Sequence, residues 1–359
     1  MSLVVENKSV ITQQLLTQLQ KHAGKIEFMP DAEIVDAIRL LEDKGIPNNK
    51  HEDYKYCNIE AVFRKEFKSV EQSFNELTNA DIAPLKLEEA INLVVVNGNY
   101  NEALSEKMIV KGLTVKSLNE LSTSEKALLS SQAKSSTDAL IALNTAFTGN
   151  GLFLQVDKNN VIPMPLHIIY VNSCQSSSVV NSRSFINIQA SAEVTLVESF
   201  YNIGSSKVFS NFVSEKQVAE NATLTCVTFQ NEGSQSFSVN TNQVHIHKHS
   251  NYTNNTFTLS GELVRNNHNV VLADSHCEAH LNGLFIATGT QQIDNHTLID
   301  HQMPHCESNE LYKGIAKDKS VGTFNGKIFV RKDAQKTNAY QSSKNILMSD
   351  DATINTKPQ

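Results

Sequence analysis

The sequence predicts a mainly β protein, with a core of stacked strand coils preceded by a mixed, mainly helical N-terminal region. Three observations carry this. Beyond Gly151 come short β-branched runs, among them Leu152-Phe-Leu-Gln-Val, Leu166-His-Ile-Ile-Tyr-Val, Ser184-Phe-Ile-Asn-Ile, Val194-Thr-Leu-Val and Ala222-Thr-Leu-Thr-Cys-Val. Asn, Ser, Gly and Asp separate them, and connections so short cannot hold the crossover helices of an α/β sheet. Two similar passages, Asn282-Gly-Leu-Phe-Ile-Ala and Asn325-Gly-Lys-Ile-Phe-Val, recur at an offset that persists to Asn295 and Asn338. An Asn-Gly turn feeding a short strand, repeated at constant offset, suggests coils rather than one globular sheet. Small residue–x–β-branched steps (Ala192-Glu-Val, Ala222-Thr-Leu, Ala352-Thr-Ile) fit tight inner corners. Periodicity leaves an antiparallel sandwich and a parallel β-helix both open, leaning slightly to the second.

In chain order, Ile11, Leu15, Leu16 and Leu19 share one helical face, ending near Gly24. Asp31, after Pro30, reads as the N-cap of a second helix with the stripe Ile34, Val35, Ile38 and Leu41, stopped by Gly45. Ile46 to Tyr56 reads as a polar loop. Ile91–Val96 before Asn97-Gly98 is a strand with a turn behind it, and Ser136 to Phe147 returns to helix, closed by Gly149 and Gly151. The division is therefore 1–150, mixed and mainly helical, and 151–359, coiled strands.

The totals exclude several classes. The 359 residues are 40% hydrophobic and 19% charged, a globular composition with ample material for a core. A formal charge of −7 with no long basic block argues against a general nucleic-acid or anionic-membrane binder. Five dispersed cysteines without a CxxC fit a reducing compartment. Met1–Val10 lacks a secretion signal and no stretch nears a membrane span, so cytoplasm is the expectation. The sequons at Asn221, Asn251, Asn254 and Asn295 then reflect Asn/Thr-rich strands and turns.

Ten of the twelve histidines lie at or beyond His167. His245, His247 and His249 alternate, which on a strand puts three imidazoles on one chelating face; a half-exposed strand accounts for the same pattern. His276-Cys277 and His301-x-x-x-His305-Cys306 are richer in ligand types, and stacking their coils would bring soft sulfur and imidazole together for iron or zinc. The competing reading is that Cys277, before an apolar run, is an inert core thiol. No GxSxG and no GxxxxGK[ST] occurs; Gly24-Lys25 and Gly326-Lys327 are each followed by Ile. Asp350-Asp351 falls at an expected turn. Neither hydrolase chemistry nor ATP hydrolysis is predicted.

Leu311-Tyr-Lys-Gly-Ile-Ala-Lys-Asp-Lys-Ser-Val-Gly-Thr-Phe-Asn-Gly-Lys-Ile-Phe-Val, Ala334-Gln-Lys-Thr-Asn-Ala-Tyr-Gln and Asn345-Ile-Leu-Met-Ser-Asp-Asp-Ala-Thr-Ile-Asn-Thr-Lys-Pro-Gln together resemble the SufB/SufD family of iron–sulfur cluster assembly proteins, its SufD members most closely. Weaker similarity runs through Gly261-Glu-Leu-Val-Arg265, Ala139-Leu-Ile-Ala-Leu-Asn144 and Glu52-Asp-Tyr-Lys-Tyr56, the last with Tyr54 where the family has Trp. The resemblance implies a right-handed parallel β-helix core and a non-catalytic scaffold subunit. It implies pairing with a SufB-like paralogue and work with the SufC ATP-binding-cassette ATPase, through which nucleotide energy enters. It implies no tightly bound cofactor in this chain and places any iron–sulfur cluster in the complex. Family members continue past Gln359 into a further strand, a Cys-x-His-Gly turn and C-terminal helices, so the chain reads as a partial sequence. The expected partner face is the C-terminal coils around Phe324–Val330 and Tyr340–Met348, with Phe324, Asn325, Gly326, Lys327, Phe329, Tyr340, Ser343 and Lys344 singled out. Open strand edges favour such pairing, with Gly326 admitting a close backbone. The expected metal-ligating set is His276, Cys277, His301, His305 and Cys306. The reading from another class is a secreted carbohydrate-active or sugar-binding β-helix, which needs clustered Asp and basic residues in an exposed groove and a secretion signal.

Overall fold

The computed structural model describes residues 10–21, 26–107, 109–126, 129 and 138–359. Gly24 and Lys25, Ser136, and the segment before Val10 lie outside the described residues. Among the described residues eighteen strands form two nine-stranded sheets. One holds the odd-numbered strands β5 (Leu166–Asn172), β7 (Glu193–Asn202), β9 (Thr223–Asn231), β11 (Asn251–Ser260), β13 (Glu278–Ala287), β15 (Glu307–Ala316) and β17 (Asn338–Leu347), begun by β1 (Ile91–Val96) and β2 (Asn99–Tyr100). The other holds β4 (Leu152–Val156), β6 (Ser178–Ile188), β8 (Val208–Val218), β10 (Ser236–Ile246), β12 (Leu263–Leu272), β14 (Gln292–His301), β16 (Val321–Val330) and β18 (Thr353–Pro358), begun by β3 (Leu113–Ser117). From β4 onward each coil gives one strand to each sheet, and each of these strands pairs in parallel with the strand two further on, as in Glu278↔Glu307↔Asn338. This is a parallel β-solenoid of about seven turns, and the sandwich reading is excluded.

The corners explain how so short a link can turn the chain. Between each even strand and the next odd one sits a residue with positive φ: Asn159, Ser191, Asn221, His249, His276, His305 and Lys336, one per coil. The left-handed conformation reverses direction within a few residues, and Asn and His are among the side chains that enter it most readily.

The Asn-Gly passages need correction. Asn282-Gly283 lies inside β13 and Asn325-Gly326 inside β16, so the pairs sit mid-strand in different sheets and are not turns. Their shared spacing is not the coil repeat. The glycines answer to side chains of the next coil. A Cβ at Gly283 would sit 2.2 Å from the Tyr312 ring, and one at Gly326 would collide with the Gln341 amide.

Inward-facing apolar residues fill the lumen, including Leu166, Ile186, Leu196, Leu224, Val244, Val270 and Ile299, with the Tyr170 and Phe200 rings stacked at 4.8 Å and Tyr312 on Phe324 at 4.4 Å. Polar side chains enter it in pairs: Lys216 Nζ meets Glu198 at 2.8 Å and Asn242 at 2.5 Å, all buried. Glu310 is wholly buried and accepts a hydrogen bond from the Thr297 hydroxyl at 2.6 Å; burial pushes its carboxyl up to about 7. The fold favours the neutral acid, so this contribution is complete below pH 4.5 and is lost as pH rises to about 7. The loss amounts to about 3 kcal/mol. Replacing Glu310 with Gln is expected to flatten the urea midpoint between about pH 5 and about pH 8, where the parent chain weakens. An unchanged slope would contradict the assignment.

The helices α1 (Val10–Gln20), α2 (Asp31–Lys44), α3 (Ile59–Glu66), α4 (Asn79–Ile82) and α5 (Ala139–Phe147) precede the solenoid. The α1 stripe is buried as expected at Leu15, Leu16 and Leu19. In α2, Pro30 takes the cap position and Asp31 is the first helical residue, Val35 is exposed, and Gly45 ends the helix at φ 71°. Helix α3 follows the Ile46–Tyr56 segment, capped by Asn58, whose side chain accepts from the Ala61 amide at 3.0 Å. Helices α1, α2, α3 and α5 lie on the outer face of the even sheet, where Phe63 packs on Phe209 at 4.6 Å and Leu140 joins Phe237 and Val239, whereas α4 sets Ile82 against Val94 and Ile169 of the odd sheet. The solenoid turns run from residue 152 onward, and strands of the first part extend both sheets, β1 pairing with β5 and β3 with β4. Among the described residues no helix is long and apolar enough to cross a membrane.

Candidate functional site

Three features stand out from the scaffold. The first is the last coil. Among the described residues β17 and β18 are the terminal strands of their sheets, each with one outer edge unpaired. Around them stand Phe329, Val330, Tyr340, Ile346, Leu347 and Met348, all large, apolar and exposed, Tyr340 by 65%. Surface residues of this kind are ordinary singly, but not six together on one end. Of the residues expected at a partner face, Lys327, Phe329, Tyr340 and Lys344 are exposed there and Ser343 is half-buried. The Arg331 guanidinium covers the Phe329 ring at 4.3 Å. Three need correction: Phe324 is buried against Tyr312, Gly326 is buried beneath Gln341, and Asn325 is buried on the outer face of the even sheet. Inward and outward alternation puts these three against the chain's own neighbours. Val330, Ile346, Leu347 and Met348, within the expected stretches, complete the exposed cluster.

The second feature is the corner where β12 meets β13 and β14 meets β15. His249, His276 and His305 occupy equivalent left-handed positions in three successive coils, exposed, with rings stacked at 4.8 and 4.9 Å. His245 and His247 are not on a shared strand face with His249, because β10 ends at Ile246. Directly inside, Cys277 and Cys306 are buried in consecutive coils. Their sulfurs approach the same carbonyl oxygen, Asp274 O, at 3.0 and 3.2 Å. A hydrogen bond from Cys277, assisted by His301, holds the Cys306 thiol down to about 5, while that same bond and burial push Cys277 up. His301 is buried and its Nε2 lies 2.9 Å from the Ser308 hydroxyl. The five expected ligands therefore share one edge but divide across its wall: His276 and His305 outside, the thiols and His301 inside. Among the described residues no three His, Cys, Asp or Glu side chains are placed to hold a metal ion.

The third feature joins passages distant in sequence. Tyr54, Asp138 beside Ala139, and Arg265 converge on the outer face of the even sheet. The Tyr54 hydroxyl donates to Asp138 at 2.8 Å, and the Arg265 guanidinium lies 4.0 Å from the Tyr54 ring centre. Arg265 also donates to Asp294 at 2.6 Å, and His296 contacts the same carboxylate at 2.9 Å. Burial alone would raise the Asp294 carboxyl, but Arg265 and His296 together hold it below the usual range. Nearby, Arg183 pairs with Glu215 and reaches Asn144 and Thr145 on α5. The Asn144 amide in turn donates to Ser182 O and Asn211 O, fixing α5 across β6 and β8. Asp138, Arg183, Glu215, Arg265 and His296 border a groove of about 420 Å³. Sequence reading passed over Arg183, Glu215, Asp294 and His296, whose pairing depends on coil register.

Two nine-stranded sheets, paired in parallel from coil to coil, define as a class a parallel β-solenoid. Comparison with known proteins narrows this. A family model described as the SUF system FeS cluster assembly SufBD core domain matches residues 170–359, and one for the SufBD protein N-terminal region matches 16–168. The chain belongs to the SufBD family of the SUF iron–sulfur cluster assembly system. An iron–sulfur cluster assembly SufBD family protein of Synechocystis is 26% identical over 336 residues, spanning 90% of this chain and 74% of its own length. The iron–sulfur cluster assembly protein SufD of Escherichia coli is 25% identical over 325 residues, spanning 90% and 75%. SufD of Bacillus subtilis is 26% identical over 243 residues, spanning 65% and 54%.

Proposed function

We propose that this chain is a non-catalytic scaffold subunit of SUF iron–sulfur cluster assembly, pairing with a SufB-like paralogue through its last coil and working with a SufC ATPase. The observation that supports the pairing most is the last described coil, where six large apolar side chains stand exposed together. A contiguous exposed apolar patch marks an association surface, and burying these side chains against a partner supplies affinity. The cluster is cargo of the complex in this reading, not a resident group of this chain.

Gly326-Lys327 lies within β16, with Gly326 buried, which is no place for a phosphate-cradling loop. Purified chain is therefore expected to hydrolyse ATP no faster than a buffer blank. Mixed with a purified SufB-like paralogue, it is expected to give a one-to-one complex by native mass spectrometry. Steady ATP turnover by the chain alone, or failure to form that complex, would overturn the reading. Charge reversal at exposed Lys344 is expected to weaken the complex about tenfold, with the monomer's circular dichroism unchanged.

A further inference from the structure

We propose that Cys277 and Cys306 are a modification site: a thiol pair that closes to a disulfide between consecutive coils when an oxidant of the peroxide class reaches it. The register carries this. Glu278 pairs with Glu307 in the parallel ladder, and the Glu307 amide donates to Cys277 O at 2.9 Å, so the cysteines just before them stand one above the other. Neighbouring strands lie about 4.8 Å apart, within the roughly 4.4–6.8 Å between α-carbons that a disulfide spans. The side chains point the same way, since both sulfurs contact Asp274 O, at 3.0 and 3.2 Å. The other interior cysteine in the ladder has no such neighbour: Cys226 pairs with Leu196 and Asn254. Cys57 lies beneath Arg265, and Cys174 beside Asn97.

Access is short. Each thiol follows an exposed corner residue, His276 or His305, so a single turn of chain separates it from solvent. The chemistry balances with hydrogen peroxide as the oxidant. The Cys306 sulfur, aided by Cys277 and His301, attacks one peroxide oxygen; the O–O bond breaks, giving a sulfenic acid and one water. The Cys277 sulfur then displaces the hydroxyl, the S–S bond forms, and a second water leaves with the remaining thiol proton. Two electrons pass from the two thiols to the peroxide.

The test is alkylation counting on the full chain under denaturing conditions, before and after hydrogen peroxide. The expected result is a fall from five alkylatable thiols to three, reversible by dithiothreitol, with one cross-linked peptide pair joining Cys277 and Cys306. Cys277→Ser is expected to stop at a sulfenic acid on Cys306, trapped by dimedone. Five thiols persisting through a peroxide excess that oxidises the exposed methionines, or a disulfide mapped to any other pair, would overturn the proposal. Peptide mapping of the parent chain decides the matter even where the serine variant does not fold.

Discussion

Replacing Arg265 with alanine is expected to destabilise the fold by about 3–5 kcal/mol, the range for breaking a buried ion pair from one side. Arg265 is 2% exposed, and its removal leaves the Asp294 carboxylate buried beside His296 and the Cys57 thiol without its guanidinium partner. Truncation also uncovers one face of Tyr54, so the segment from Glu52 to Cys57 loses its anchor on β12. Urea unfolding should show a lowered midpoint. Limited proteolysis should open the chain near Lys50 and Lys55 before it attacks the coils. Replacing Arg265 and Asp294 together by Met and Leu removes both charges and is expected to recover most of the loss. Equal losses in the single and double variants would show that the ion pair is not what holds the N-terminal region to the solenoid.

The second large effect is expected at the end face. Leu347→Asp together with Tyr340→Ala should weaken binding to a SufB-like paralogue at least ~100-fold, or about 3 kcal/mol, because charge and truncation fall on apolar groups that association would bury. Both side chains are more than half exposed in the monomer, at 55% and 65%, so its melting temperature should hardly move. A matching fall in monomer stability would place these residues in the core.

Much of this architecture is legible in the residues, for definite reasons. Strands such as Leu152–Val156 and Ile91–Val96 were expected at their observed bounds because β-branched runs between turn formers have few other ways to fold. Coil length is harder to see. It runs from Phe237 to Leu263 in one coil and from Val321 to Thr353 in another, so no fixed period marks the repeat. The signal that does recur, a left-handed Asn, Ser, His or Lys at each corner, is spread over residue types that also serve elsewhere. Glycine misleads in the same way: Gly283 and Gly326 report the bulk of a neighbour one coil away, which local pattern cannot convey.

The candidate sites divide along similar lines. Exposure at Phe329 and Tyr340 was legible because both lie near the last coil, whereas Phe324 was misplaced by alternation within its own strand. The cysteine and histidine clusters were visible as spacings, but the wall between His276 and Cys277 is a matter of backbone direction at one corner. Helix α3 escaped notice because its cap, Asn58, follows a polar segment and its buried face rests on just Ile59 and Phe63.

The central claim is that the open end of the solenoid is the partner surface, and amide hydrogen exchange on the chain alone and mixed with a SufB-like paralogue tests it most directly. New protection is expected to concentrate in Asn338–Leu347 and Thr353–Pro358, the last described strands, with Glu52–Cys57 and the His276 and His305 corner unchanged. Protection on the outer face of the even sheet, with β17 and β18 exchanging as they do alone, would contradict it.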